Sequence, residues 1–313
     1  MKRIVYALLF IFSLFLLTSC TLEKAPFSEA SSNNQKLQVV VSFNAMRELA
    51  EAIGGNKIEI KTIIPDGVEP HDFEPKASDV TALSTASVFI INGFGMEQSW
   101  AEKAIKTAGN KNLLFVIASN GATPIYDTAA SAFWNSQSQR HDIDPHIWLS
   151  LQGAKWEAKN IHNAFIKADP ANKAYYDANY DAFSAKIDYL YTDYKTKFDQ
   201  SPYKVFITGH AAFSYMARDF GLQQNSLENV FASGEPSARR LKELADFCLN
   251  HHISTIFVED MESPKISQTL AHEVGANVEG IYTLESSNGS KTYLQTQKEN
   301  LEKIYQSLST GHL

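Results

Sequence analysis

Short apolar runs alternate along the chain with longer segments in which apolar residues recur every three or four positions. The short runs are rich in β-branched residues and predict buried strands, whereas the periodic segments predict amphipathic helices. Strands separated by helices indicate an α/β fold with mostly parallel sheets. The predicted strands are residues 37–43, 58–64, 87–92, 113–118, 204–208, 254–259 and 277–282, and the predicted helices are residues 45–53, 78–86, 96–108, 238–250, 264–274 and 293–308.

One further periodic segment, residues 170–198, is much longer than the others and contains no strand pattern. Pro170 suits the first turn of a helix, and Pro202 follows its far end. We therefore expect two lobes, each with a mostly parallel four-stranded sheet flanked by helices, joined by this one long rigid helix. The predicted units are a first lobe at 37–169, the linking helix at 170–200 and a second lobe at 201–313. The apolar face of the helix comprises Tyr176, Tyr180, Phe183, Ile187, Leu190, Tyr194 and Phe198.

The start of the chain has the pattern of an export signal. Two basic residues precede an apolar run at 4–17, which is shorter than the roughly 20 residues that a bilayer-spanning helix needs. The motif Leu-Thr-Ser-Cys that ends at Cys20 resembles a lipobox, although an ordinary signal peptide or an uncleaved anchor would share parts of this pattern. We predict a signal peptide at 1–19, a lipidated Cys20 with a flexible tether at 20–36, and an extracytoplasmic protein anchored to the cell membrane.

Composition argues against nucleic-acid binding and against a fold held together by disulfide bonds. The chain has 28 Lys and Arg against 35 Asp and Glu, a formal charge of −7, and this acidic balance without a basic run argues against nucleic-acid binding. With Cys20 lipidated, Cys248 has no partner, so no disulfide framework can form. We interpret Cys248 as a small buried side chain.

Three histidines lie in distinctive motifs. His71 lies in Glu-Pro-His-Asp-Phe-Glu-Pro, His146 in Asp-Pro-His-Ile-Trp-Leu, and His210 in Thr-Gly-His directly after a predicted strand. A single histidine of this kind is more often structural than a ligand. Neighbouring prolines stiffen a loop, and ligands of α/β folds bind at the carboxyl ends of strands. Three imidazoles from distant segments of an exported protein therefore suggest a metal site, with zinc preferred.

The motifs around His71 and His146 resemble those of the zinc and manganese substrate-binding lipoproteins of bacterial ABC importers. The stretch Gly-Glu-Pro-Ser at 234–237 is also similar, and the resemblance runs from about residue 37 to the C-terminus. It implies a metal held in the cleft between two lobes and delivered to an ABC permease and its ATPase by a monomeric protein.

The resemblance also implies the ligand set. Two histidines come from these motifs, the third ligand follows the first strand of the second lobe, and the fourth is an acidic residue near the last strand. A histidine at the third position is typical of the zinc-binding branch, where manganese-binding members carry Glu. The implied ligands of Zn²⁺ are His71, His146, His210 and Glu285, and Glu259 and Asp260 are the rivals for the fourth position.

Three neutral imidazoles and one carboxylate leave a zinc site with a charge of about +1, which neighbouring carboxylates can neutralise. The candidates are Asp72, Glu74 and Asp144, each of which could equally be an ordinary loop acid. Many zinc-binding members carry a long His- and Asp-rich loop before the second ligand. Here residues 119–144 contain only His141, so we expect no loop that collects metal.

Binding is the expected function, and the chain is not expected to be an enzyme. Four protein ligands leave no open position for a reactive water, and the sequence has neither HExxH nor a nucleophile elbow, although three histidines could serve a zinc hydrolase. The sequence also leaves open a manganese-binding protein of the same family and a surface adhesin.

Overall fold

The computed structural model describes residues 36–126, 143–231 and 236–309. The predicted signal peptide and lipidated Cys20, nearly all of the predicted tether, His141, and the Gly234-Glu235 pair lie outside these residues. Among the described residues, no helix is both long enough and apolar enough to cross a membrane.

Two four-stranded parallel sheets, each flanked by helices, form the two lobes, as predicted. The first lobe contains β1 (Leu37–Val41), α1 (Asn44–Gly54), β2 (Ile58–Thr62), α2 (Ala77–Thr85), β3 (Val88–Ile91), α3 (Ala101–Ala108), β4 (Leu114–Ile117) and α4 (Leu151–Ala168). After the linking helix α5 (Lys173–Gln200), the second lobe contains β5 (Val205–Thr208), α6 (Ser214–Phe220), β6 (Gln223–Ser226), α7 (Ala238–Asn250), β7 (Thr255–Glu259), α8 (Lys265–Val274), β8 (Asn277–Ile281) and α9 (Tyr293–Ser309).

The strand order places a crevice at the carboxyl end of each sheet. The sheet order is β2-β1-β3-β4 in the first lobe and β6-β5-β7-β8 in the second. In the first lobe β2 pairs with one side of β1, and the chain then crosses to β3 on the other side. In the second lobe β6 and β7 lie on opposite sides of β5 in the same way. Ligands of open α/β sheets bind where the strand order reverses. The loops that follow the strands of the two lobes therefore supply the side chains of the inter-lobe cleft.

Helix α5 joins the lobes through one apolar face. Its 28 residues span about 42 Å at 1.5 Å per residue. The face packs against α1 and α4 of the first lobe and against α9 of the second, so both lobes share one large core. The helix begins at Lys173 because Pro170–Asn172 forms a separate 3₁₀ turn. Of the predicted face, Tyr180 is only half-buried, and the buried residues are Tyr176, Phe183, Ile187, Leu190, Tyr194 and Phe198.

Three elements of the structure, α4, α6 and β6, lie outside the predicted set. Strand β6 is Gln-Gln-Asn-Ser, a polar edge strand that is defined by its parallel pairing with β5 rather than by an apolar pattern. Helix α4 has a buried face that includes Ala154, Ala158 and Ala164, and small residues give a weak periodic signal.

Glu157, on α4, is an acidic side chain inside the apolar core. It is fully buried, and neither carboxyl oxygen has a hydrogen-bond partner among the described residues. Burial, reinforced by the neighbouring charge of Glu97, raises the pKa of Glu157 well above its usual value. Ionising this carboxyl costs more free energy in the folded state than in the unfolded state, because burial raises its pKa. Folding stability therefore falls as the pH rises above the pKa of an unfolded Glu.

Replacing Glu157 with Met should raise the melting temperature of the metal-free protein, and should raise it more at pH 8 than at pH 5. The pH-dependent part amounts to about 1.4 kcal/mol for each unit by which folding raises the pKa. Thermal melts across this pH range measure the difference. The control is Glu102→Gln on the exposed surface of α3, and an equal gain at both pH values would contradict a neutral, buried Glu157.

Candidate metal centre

Four side chains from four separate loops meet between the lobes. His71 follows β2, His146 lies in the loop before α4, His210 follows β5, and Glu285 follows β8. One nitrogen from each imidazole and one oxygen from the carboxylate all lie within 4.8 Å of one another. Among the described residues this is the group of His, Cys, Asp and Glu whose donor atoms could together hold a metal ion.

The separations between these atoms suit a small tetrahedral ion. The Nε2 atom of His146 lies 3.3 Å from Nε2 of His71 and 3.4 Å from Nε2 of His210. The Oε1 atom of Glu285 lies 3.8 Å from Nε2 of His71 and 3.7 Å from Nε2 of His146. Ligands at about 2.0–2.1 Å from a tetrahedral zinc ion stand about 3.3–3.4 Å apart. The two separations from His146 Nε2 to the other imidazoles already match this geometry, and the two from Glu285 Oε1 exceed it by about 0.3–0.5 Å.

The site is enclosed. His146, His210 and Glu285 are buried, and the side chain of His71 is only 5% exposed. The ring of Phe231, from the second lobe, contacts His71 edge to face with the ring centres 5.5 Å apart. Electrostatic interactions are strong in such a space because little water screens them.

Asp144 fixes the orientation of His146. Its Oδ1 atom accepts hydrogen bonds from the backbone N–H and from Nδ1 of His146, both at 2.9 Å. Because Nδ1 faces the carboxylate, Nε2 faces the cleft. The loop itself is held by Asn92, which donates from Nδ2 to the carbonyl of Pro145 at 2.9 Å.

The imidazoles differ in their affinity for protons. Burial, and then the neighbouring charge of His146, lowers the pKa of His71 to about 4 and that of His210 to about 3. Burial opposes the charge of His146 as well, but the hydrogen bond to Asp144 and the nearby carboxylate of Glu285 outweigh it and raise the pKa of His146 to about 9. The same contact with His146 overcomes burial and lowers the pKa of Glu285 to about 2. At pH 7 the metal-free site therefore holds one proton, on His146.

The two acids considered as rivals of Glu285 lie behind the site. Glu259 Oε1 accepts a hydrogen bond from the backbone N–H of His210 at 3.1 Å and lies 3.5 Å from its Nδ1. This close approach requires a glycine at position 209, because a Cβ there would lie 2.2 Å from Oε2 of Glu259. Asp260 accepts from the backbone N–H of Thr283 at 3.2 Å, and Thr283 donates from Oγ1 to Glu285 at 2.8 Å.

Other acidic residues border the site. Asp72 and Glu74 are exposed, so of the three candidates for charge neutralisation only Asp144 hydrogen bonds to one of the four converging residues. Glu69 was not among the predicted site residues, yet its Oε1 accepts from the backbone N–H of His71 at 3.1 Å. Burial, and then the charge of Glu285, raises the pKa of Glu69 to about 7. The sequence offered one signal for this role, because Glu69 lies two residues before His71 and is separated from it only by Pro70.

Comparison with known proteins identifies the family. A family model described as "Zinc-uptake complex component A periplasmic" (ZnuA) matches residues 39–307. The chain belongs to the ZnuA family. This confirms the resemblance to the substrate-binding proteins of zinc importers, including the zinc-binding branch.

Similar proteins cover most of the chain. A ZnuA-family relative from Bacillus subtilis (strain 168), the high-affinity zinc uptake system protein ZnuA, is 34% identical over 94% of each chain. A protein of Treponema pallidum (strain Nichols) whose proposed role is metal binding is 40% identical over 89% of each chain. Among solved structures, the laminin-binding protein Lmb of Streptococcus agalactiae is 33% identical, with a TM-score of 0.78 over 87% of this chain and 99% of Lmb.

Replacing Asp144 with Asn should lower the pKa of His146 in the metal-free protein. The amide retains an oxygen acceptor but removes the negative charge that favours the protonated ring. NMR titration of the His146 ring protons measures the change. Asp72→Asn, an exposed acid beside His71, is the matched control and should leave the pKa of His146 near 9. An unchanged value in Asp144→Asn would mean that Asp144 does not set the protonation of this ring.

Proposed function

We propose that this protein captures Zn²⁺ outside the cytoplasm and hands it to the permease of an ABC importer, which is driven by its ATPase. His71, His146, His210 and Glu285 are the proposed ligands. The observation that carries the proposal is the convergence of three imidazole nitrogens and one carboxylate oxygen at separations suited to tetrahedral zinc.

The donor set favours zinc over manganese. Three nitrogens and one oxygen in a tetrahedral arrangement suit Zn²⁺, whereas Mn²⁺ prefers more oxygen ligands and a higher coordination number. Charge supports a divalent ion, and it does so equally for zinc and manganese. The two positive charges of the ion are balanced by the carboxylates of Glu285 and Asp144, so the buried site is neutral when the metal replaces the proton on His146.

The proposed role is binding without catalysis. Hydrolytic zinc sites use three protein ligands and keep the fourth position for water. Here Oε1 of Glu285 lies 3.7 Å from Nε2 of His146, which is close enough for the carboxylate to take that fourth position.

We further propose that the mature protein is a monomer, attached to the membrane through lipidated Cys20 and the tether at 20–36. The family description "periplasmic" supports a location outside the cytoplasm. The proposed units are the signal peptide at 1–19, the first lobe at 37–169, the linking helix at 170–200 and the second lobe at 201–313, with the metal bound between the lobes.

A second role in adhesion is a weaker candidate. The observation that favours it is the similarity to Lmb, which is described as a bifunctional protein with adhesin and metal transporting activity. Binding of the purified protein to a laminin-coated surface, compared with a surface coated with albumin, tests this role. Equal binding to both surfaces would remove it.

Zinc should raise the melting temperature strongly, and manganese at the same concentration should raise it much less. A ligand at 1,000 times its Kd stabilises the folded state by about 4 kcal/mol. His71→Ala or His146→Ala should weaken zinc binding by about 3 kcal/mol, more than 100-fold, since four ligands share about 10–16 kcal/mol.

Competitive titration against a chelator measures these affinities. The control is His162→Ala on helix α4. It removes an imidazole whose Nε2 is hydrogen bonded to Asp177 at 2.8 Å. Equal melting with and without zinc, or equal losses in His146→Ala and His162→Ala, would refute the proposed site.

Zinc binding at pH 7 should release about one proton. His146 carries this proton in the metal-free site because its pKa is about 9, whereas His71 and His210, with pKa values of about 4 and 3, are already neutral. Zinc affinity should therefore rise about tenfold for each pH unit between about pH 5 and 8.

Calorimetry in buffers of different ionisation enthalpy counts the released protons. Three histidines with the ordinary pKa of about 6.5 would instead release almost none at pH 8. That result would contradict the raised pKa of His146.

A further inference from the structure

Glu285 belongs to the second lobe, but residues of the first lobe hold the backbone on both sides of it. Asn44, at the start of α1, donates from Nδ2 to the carbonyls of Leu284 and Ser286, both at 3.1 Å. Trp148 donates from its indole N–H to the carbonyl of Thr283 at 2.7 Å. These contacts cross the cleft and join positions that lie up to 242 residues apart in the chain.

The backbone they hold has an uncommon conformation. Leu284 has φ of 61°, in the left-handed region that leucine rarely adopts, and its side chain is buried. A non-glycine residue persists in this conformation only when its surroundings fix it. Leu284 and Ser286 flank Glu285 in the chain, so the two hydrogen bonds from Asn44 hold the backbone on either side of the carboxylate.

The direction of the Asn44 amide is set by its other contact. Arg47, one turn further along α1, donates to Oδ1 of Asn44, so the Nδ2 protons are the ones that face the Glu285 loop. Asn44 is 2% exposed, and water cannot readily replace the carbonyls as acceptors. Both Nδ2 protons of Asn44 are therefore donated to backbone carbonyls of the Glu285 loop.

The support of His210 comes from its own lobe. Its carbonyl accepts hydrogen bonds from Thr208 at 2.6 Å and from Gln224 at 3.0 Å, and its backbone N–H donates to Glu259 at 3.1 Å. Thr208, Gln224 and Glu259 all lie on strands of the second sheet. His210 and Glu285 are therefore supported differently, although both follow strands of the second lobe.

We propose that Asn44 is a positioning residue that holds the Glu285 loop against the first lobe, so that His71, His146 and Glu285 form one preassembled half-site that His210 completes. This inference rests on the proposed role of the four side chains as metal ligands. It assigns Asn44 a function in metal affinity that it performs through Glu285 without touching the ion.

The test is the effect of Asn44→Ala on zinc affinity in three backgrounds. In the otherwise unchanged protein, affinity should fall about 10- to 100-fold, as is usual when the support of a metal ligand is removed. In Glu285→Ala, the same change should have an effect of less than about twofold, because the ligand that Asn44 positions is absent. In His210→Ala, the full 10- to 100-fold effect should remain.

Asn110→Ala is the matched control. Asn110 also donates from Nδ2 to two carbonyls, those of Leu83 at 3.0 Å and Ala86 at 2.8 Å, but within the first lobe and away from the cleft. Both variants should lower the melting temperature of the metal-free protein, but only Asn44→Ala should weaken zinc binding. Asn44→Ser retains one donor and should recover part of the affinity, and it replaces Asn44→Ala if that variant does not fold.

Three results would overturn the inference. Equal zinc affinity in Asn44→Ala and Asn110→Ala would show that Asn44 supports only the fold. An effect of Asn44→Ala that is just as large in Glu285→Ala would show that it does not act through Glu285. Unchanged affinity in Glu285→Ala alone would refute the ligand assignment itself, and with it this inference.

Discussion

The close approach of three imidazoles and a carboxylate, all almost fully buried, is the constraint on which the rest of this structure depends. Polar groups lose their contacts with water when they are buried, and a buried polar group without another partner costs free energy. At this site the supporting hydrogen-bond partners lie behind the four converging side chains. Asp144 orients His146, Glu259 lies against the backbone of His210, and Thr283 donates to Glu285. The two surrounding lobes hold these supports in place.

The parts of the fold that follow from local sequence patterns were predicted well. The apolar face of α5 lies where the three- and four-residue spacing placed it, and both sheets are parallel as the alternation of strands and helices indicated. Strand β6 escaped prediction because its polar residues pair with β5 only once the second lobe has formed. A four-residue edge strand without apolar residues carries no periodic signal of its own.

The site shows the same division between local and long-range information. The proline-flanked motifs pointed to His71 and His146, and the position after β5 pointed to His210, because each signal is contained in a few neighbouring residues. The structure brings these three imidazoles together. The role of Asn44 was not accessible in this way. Its contacts with the Glu285 loop join residues separated by 240 positions or more, and an asparagine at the start of a helix has an ordinary local explanation.

Helix α9 has a consequence for how the molecule is assembled. It packs along α5 and brings Tyr293 to within 5.9 Å of Phe183, measured between ring centres, while Tyr194 donates to Glu302 at 2.8 Å. The part of α5 around Phe183 and Tyr194 is therefore covered by the last helix of the second lobe, whereas α1 and α4 cover other parts of the same face. During synthesis from the N-terminus, Phe183 and Tyr194 cannot make these contacts until α9 has been made. The first lobe and α5 alone would therefore leave part of this apolar face exposed, and transiently exposed apolar surface is what makes folding intermediates prone to aggregate.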